Sequence, residues 1–378
     1  MTKTIVSFKL LCSGILILLY LPCYSQQSEV EMVRKIQSFQ IVEDQFYDSG
    51  LFPSKRTWSF SSKPVEDNTI FFTASIVSTL QMVHAKLDSK SRKMVDSMIS
   101  NADQLYPKYK NRGGGVTYSF WQTVAPDLPF PNGSKLISNE RLRLPDDFDT
   151  SILIALAQEK NDSADLLLRN RMVGYSSREN REDVKLFTPQ EYQDVKAYET
   201  WFGKDMPQAF DLSVMSNVLL YVMRQGFVWN AYDSATASLI NTMILNDDHR
   251  LRTSDVSFHS TSPALILYHV ARLIAVDNIG HFDEAKAKVL GDLVSLLDVV
   301  ENEVEKVMIL SSLHRLGYEP SASIDFDKLK ADVKTFSFFS VNPFNMSKGE
   351  SRYLPSVRWV SEAYNWTLML ELLLLEKE

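Results

Sequence analysis

Residues 211–223 read DLSVMSNVLLYVM, an apolar run that carries only Asp211, Ser213, Ser216 and Asn217 as polar positions. A surface helix keeps one charged face; a helix apolar nearly all the way round is buried on every side. The chain contains five more such runs: NTIFFTASIVSTLQMV (68–83), DTSILIALA (149–157), SPALILYHVARLIAV (262–276), VEKVMILSSLHRL (304–316) and EAYNWTLMLELLLL (362–375). They recur irregularly and read as one repeated helical unit. Between them lie helices with one apolar stripe and one charged face, for example from Ser91, from Ala235 and from Phe282. This alternation predicts an all-α fold, an α/α toroid in which about six inner helices are wrapped by an outer ring.

The remaining segments follow local rules. GGGVTYSFWQT from Gly113 has period-two apolar residues, and PDLPFPNGSK follows it. Together they predict a minor insertion of one short strand and an ordered loop. Thr188-Pro189-Gln190-Glu191 matches a capping box with proline at the first helical position, so a helix is expected there, ending at Gly203. Ser262-Pro263 repeats the pairing of cap and proline.

Lys3 and Lys9 precede an apolar stretch from Leu10 to Leu21, and small residues stand before Gln26. That is the pattern of a secretory signal peptide over residues 1–25. An N-terminal lead-in over 26–66 and a toroid domain over 67–378 follow. Export implies a periplasmic or secreted protein. Lipidation at Cys23 is the less favoured reading, because Tyr20, Leu21 and Pro22 make a poor lipobox. Both cysteines, Cys12 and Cys23, lie in the leader, so its removal leaves no thiol for a disulfide, a nucleophile or a thiolate metal site.

Without the leader, 38 basic residues face 47 acidic ones, a net charge of −9. No basic block stands out, which argues against a nucleic-acid partner. No later stretch reaches eighteen uninterrupted apolar residues, so no stable membrane span is expected. Whether a cofactor is used is not readable from the sequence.

A ring of buried helices, one of them opened by Asp-Asp-x-Asp-Thr at residues 146–150, resembles the α/α toroid of terpenoid cyclases and protein prenyltransferases. The chain looks most like uncharacterised exported bacterial members of that group. The resemblance implies a site at the ring's mouth, with Asp146, Asp147 and Asp149 as the catalytic candidates. The departures are specific. Class II cyclases use Asp-x-Asp-Asp before threonine, and matching on Thr150 puts Phe148 at the proton-donor position. The zinc ligands of the prenyltransferases include a cysteine, which the mature chain lacks.

Each candidate also has a structural reading. Asp149 and Asp211 stand where helix starts want acids or caps. As a cluster the three aspartates could instead raise one another's pKa and supply an acid, or, as a lesser reading, take a calcium ion. Asn217, four residues after Ser213, needs a polar partner or a cavity. With Asp211 and His259 it is a ligand-binding candidate, and so are the aromatics Trp121, Trp201, Tyr268, Trp359 and Tyr364. The histidines show no metal-ligand spacing, and no metal site is expected. A small-molecule or glycan ligand fits such a mouth. Besides a cyclase-like enzyme, an exported glycan-active hydrolase or lyase and a non-catalytic binding protein remain open.

Overall fold

A computed structural model of the 378-residue chain describes residues 21–59, 61, 63–111, 115–123, 148–176, 188–202, 209–260, 262–341 and 356–377. Helices dominate. In chain order they are α1 (Leu21–Gln37), α2 (Ile70–Val83), α3 (Ser89–Asp103), α4 (Phe148–Ala157), α5 (Asp162–Ser176), α6 (Leu212–Gln225) and α7 (Ala231–Leu245). Two single turns follow, α8 (Asp248–Leu251) and α9 (Thr253–Val256), then α10 (Pro263–Ile274), α11 (Asp283–Leu297), α12 (Glu303–Arg315), α13 (Phe326–Asp332) and α14 (Glu362–Leu375).

Six of these close a ring. α2 packs on α4, α4 on α6, α6 on α10, α10 on α12, α12 on α14, and α14 returns to α2. They are the six runs that are apolar all round. Every residue of α6 from Leu212 to Val222, and of α10 from Ala264 to Ile274, is buried. The stripe helices lie outside: α3 on α2, α7 on α6, and α11 on α10, α12 and α7. α3 buries only Ser91, Val95, Met98 and Ala102, a 3–4 spacing that gives one apolar face.

The inner helices run in parallel. Their starts gather at one end, where Thr69, the cap of α2, donates to the carbonyl of Phe120, and Phe148 N at the head of α4 donates to Thr200 O at 3.1 Å. Asp211, the cap of α6, meets Ser257, just ahead of α10. At the opposite end Gln81 of α2 reaches Ala157 O of α4, and Lys160 reaches Gln225 O of α6.

A small antiparallel sheet sits at the end where the inner helices start. Its order is β2 (Val65–Asp67), β1 (Ser54–Trp58), β4 (Val357–Val360), β3 (Phe339–Val341), with Arg56 opposite Trp359 and Trp359 opposite Phe339. Among the described residues of the stretch from Gly113 no strand forms: Tyr118 and Ser119 make isolated bridges only, Tyr118 with Lys110. Its aromatics are held one at a time instead: Phe120 on the ring of Phe71, Trp121 on a carboxylate.

The helix expected from Thr188 is reduced to one turn, Gln190–Tyr192. Thr188 accepts from Phe210 N instead of capping, and Glu191 is drawn to Arg252 at 2.6 Å. Gly203 lies outside the described residues. Ser262 does precede α10 with Pro263 at its start, but its hydroxyl bonds Glu305 and not the helix. In the lead-in, Met32, Val33 and Ile36 of α1 enter the ring's core, and α1 packs on α14.

Candidate functional site

Two layers meet at the start end of the ring. The inner layer is polar. Asp149, the second residue of α4, is half-buried; Asn217 of α6 and His269 of α10 are buried. Asn217 Nδ2 donates to Asp149 Oδ1 at 2.8 Å, and His269 Nδ1 lies 3.1 Å from Asn217 Oδ1. The amide fixes the protons. A carboxylate oxygen takes the Nδ2–H, which leaves Oδ1 as the acceptor, so His269 must carry its proton on Nδ1. Burial pulls the His269 imidazole down to about 3, so it is neutral at ordinary pH. Three consecutive inner helices thus contribute one residue each to a chain of polar groups in an apolar ring.

The outer layer is aromatic. Trp201, Phe258, His259, Phe339, Phe120 and Trp121 form a belt across the mouth, linked by ring-centroid distances of 5.3 Å (Trp201 to Phe258), 4.2 Å (Phe258 to His259), 4.7 Å (His259 to Phe339), 5.5 Å (Phe339 to Phe120) and 4.7 Å (Phe120 to Trp121). All six residues are half-buried. Ser340 N donates to His259 O at 3.0 Å, which ties β3 to the loop ahead of α10. Burial also holds the His259 imidazole near 3, and its Nδ1 has no hydrogen-bond partner among the described residues.

The remaining candidates have the following partners. Asp211 caps α6 through Ser213 N and Val214 N and accepts from Ser257 Oγ at 2.9 Å. Full burial raises its carboxyl to about 6, with the hydrogen bonds opposing the rise. Trp359 donates through Nε1 to Asp67 Oδ2 at 2.8 Å, and Trp121 to Asp67 Oδ1 at 2.9 Å; Arg56 lies 3.3 Å from the same buried carboxylate. Asp67 therefore anchors the end of the belt that borders the sheet. Tyr268 donates to Glu371 at 2.6 Å, and Tyr364 packs on Phe72 and Phe338; both tyrosines are buried in the ring. Asp146 and Asp147 lie outside the described residues. Phe148 is fully buried and stacked on Phe202 at 3.7 Å, a core contact with no acid–base capacity.

Sequence reasoning passed over several groups. His269 follows an apolar run and its partner Asn217 lies 52 positions away, so only the ring brings them together. Asp247, His249 and Asp292 converge closely enough for a metal. The Lys288 ammonium, 2.5 Å from Asp247 and 2.6 Å from Asp292, already supplies the positive charge there. Comparison of the sequence with protein-family models gives no match, and comparison with curated proteins gives none either.

No described helix is long and apolar enough to cross a membrane.

Proposed function

We propose that this chain is an exported toroid enzyme that lays an apolar, polyprenoid-like ligand along the aromatic belt and acts on it through Asp149. The observation that carries the reading is the bonded series Asp149–Asn217–His269, in which a half-buried carboxylate at the head of an inner helix is held by a buried amide. The leader-like residues 1–25 support export.

The chemistry follows from the donor pattern. Asn217 donates to Asp149, so Asp149 serves as an acceptor: a base for a proton next to a developing cation, or a counter-charge to it. Neutral His269 keeps Asn217 from turning over. Aromatic faces add stabilisation of positive charge. This is a different use of the fold from cyclase protonation, since Phe148 occupies the donor position.

The test is incubation with squalene and with farnesol, followed by gas chromatography. Product from the wild type that disappears in Asp149→Asn, with the fold retained by circular dichroism, supports the reading. Release of reducing ends from a polysaccharide, with both polyenes untouched, would replace it with a glycan-active one. Tight binding without turnover would leave a binding protein.

A further inference from the structure

At the end of the ring opposite the mouth, two loops meet through a pair of stacked rings. Trp229 lies between α6 and α7, and His281 lies between α10 and α11. Their indole and imidazole stack at 3.7 Å with 10° between the planes, and both residues are half-buried. The turn that carries His281 holds it in place. Asp277, whose side chain is 3 % exposed, lies with Oδ1 3.0 Å from His281 Nδ1, and its two oxygens also accept from Ile279 N and Phe282 N. Gly280 takes φ +84, where side chains are rare, and a Cβ there would stand 2.8 Å from the Asp283 carboxylate. A ring pair fixed by a buried carboxylate is preorganised.

The pair lines a groove between α7 and α11, a cavity of about 390 Å³. That is near the lower end of the range for small-ligand pockets. Ser238, Asn241 and Thr242 of α7 and Glu284 of α11 also line it, and no lysine or arginine does. Two of the donors are spent. Thr242 Oγ1 donates to Ser238 O at 2.8 Å, and Asn241 Nδ2 donates to His281 O at 2.8 Å. Asn241 Oδ1 is left buried with no hydrogen-bond partner among the described residues. What remains beside the rings is mostly acceptors: that amide oxygen, hydroxyl lone pairs and the Glu284 carboxylate. An anion finds no cation here, and a metal ion finds a single carboxylate where it wants several oxygen ligands. The lining suits a molecule with an apolar face for the rings and hydroxyl donors for the acceptors. A pyranose has both, since its ring C–H bonds make an apolar face and its hydroxyls project around the rim. We infer that this groove binds a neutral sugar unit, with the C–H face against the Trp229–His281 pair and hydroxyls donating to Asn241 and Glu284. The site is separate from the aromatic mouth, and its failure would leave the proposed activity untouched.

The experiment follows the indole N–H signals of the six tryptophans of the full chain by proton–nitrogen NMR. The signal missing in Trp229→Phe is that of Trp229, and the others report that the variant folds. The probes are maltose, cellobiose and diacetylchitobiose, with tetramethylammonium chloride for contrast. A saturable shift of the Trp229 signal is expected with at least one disaccharide, while the signals of Trp121 and Trp201 at the mouth stay in place. In calorimetry the Kd for that sugar should rise about tenfold in Trp229→Ala, the scale of one aromatic contact. Glu284→Gln, which keeps an oxygen acceptor, should still bind; loss of binding there would show that charge is what counts and would overturn a neutral ligand. The inference also fails if no disaccharide moves the Trp229 signal, if only the mouth tryptophans respond, or if tetramethylammonium alone moves it.

Discussion

Asn217 joins Asp149 to His269 across three helices of the inner ring, accepting from one side and donating to the other at 3.1 and 2.8 Å. Leucine at 217 would fill the same space and satisfy neither group. An unpaired buried donor or acceptor costs roughly 1–3 kcal/mol. Asn217→Leu should therefore lower stability by about 2–5 kcal/mol in urea unfolding. A loss under about 0.5 kcal/mol would mean that the contacts contribute nothing net.

Three titrating groups of the mouth oppose one another with pH. His259 and His269, held near 3, refuse protons that the unfolded chain accepts below about 6.5. Their contribution is lost as pH falls from 6.5 towards 3. Asp211, raised to about 6, binds its proton in the native state first, so its contribution is full below 3.8 and is lost as pH rises through 6. Unfolding free energies measured at pH 7, 5 and 4 should fall towards acid in the wild type. The fall should be shallower in His259→Phe and His269→Phe, and steeper in Asp211→Asn. Equal slopes in all four proteins would contradict the assignment.

In the outer ring, Arg169 grips Asp233 with Nη1 at 2.6 Å, while Asp233 accepts from Tyr198 and from the backbone of Asn230. Removing one partner strands a buried charge, at a cost of roughly 3–5 kcal/mol. Arg169→Met should show that loss in chemical unfolding, and adding Asp233→Asn should recover part of it. Two additive losses would show that the charges are not coupled.

Asp67 accepts from the indoles of Trp121 and Trp359. Asp67→Ala removes the acceptor of both indoles and of the Thr69 N–H together with the counter-charge of buried Arg56, and should cost roughly 3–5 kcal/mol. The near-ultraviolet circular dichroism of the tryptophans should weaken as well. An unchanged tryptophan signal would show that other contacts hold the belt.

The ring itself was legible because burial leaves a mark in each segment. α2, α6 and α10 lack a charged face, whereas α3 and α11 have one. Asp211 was readable as a cap for the same local reason. The sheet was not, since β1 and β4 pair residues about 300 positions apart and each is five residues or fewer. The helix expected from Thr188 failed because Phe210 and Arg252, both distant in sequence, claimed the two capping side chains. At the site, Asp149 and Asn217 were visible as polar residues in apolar surroundings. His269 carries no such mark, and only the convergence of three helices shows what it faces.

The central claim is that the aromatic mouth beside Asp149 is where the ligand sits. A crystal structure of the full chain soaked with farnesol tests it directly. The account predicts density for the polyene across Trp201, Phe258 and Phe339, with its reactive end within about 3–3.5 Å of an Asp149 oxygen. Farnesol found only on the outer helices, or at the far end of the ring, would contradict it.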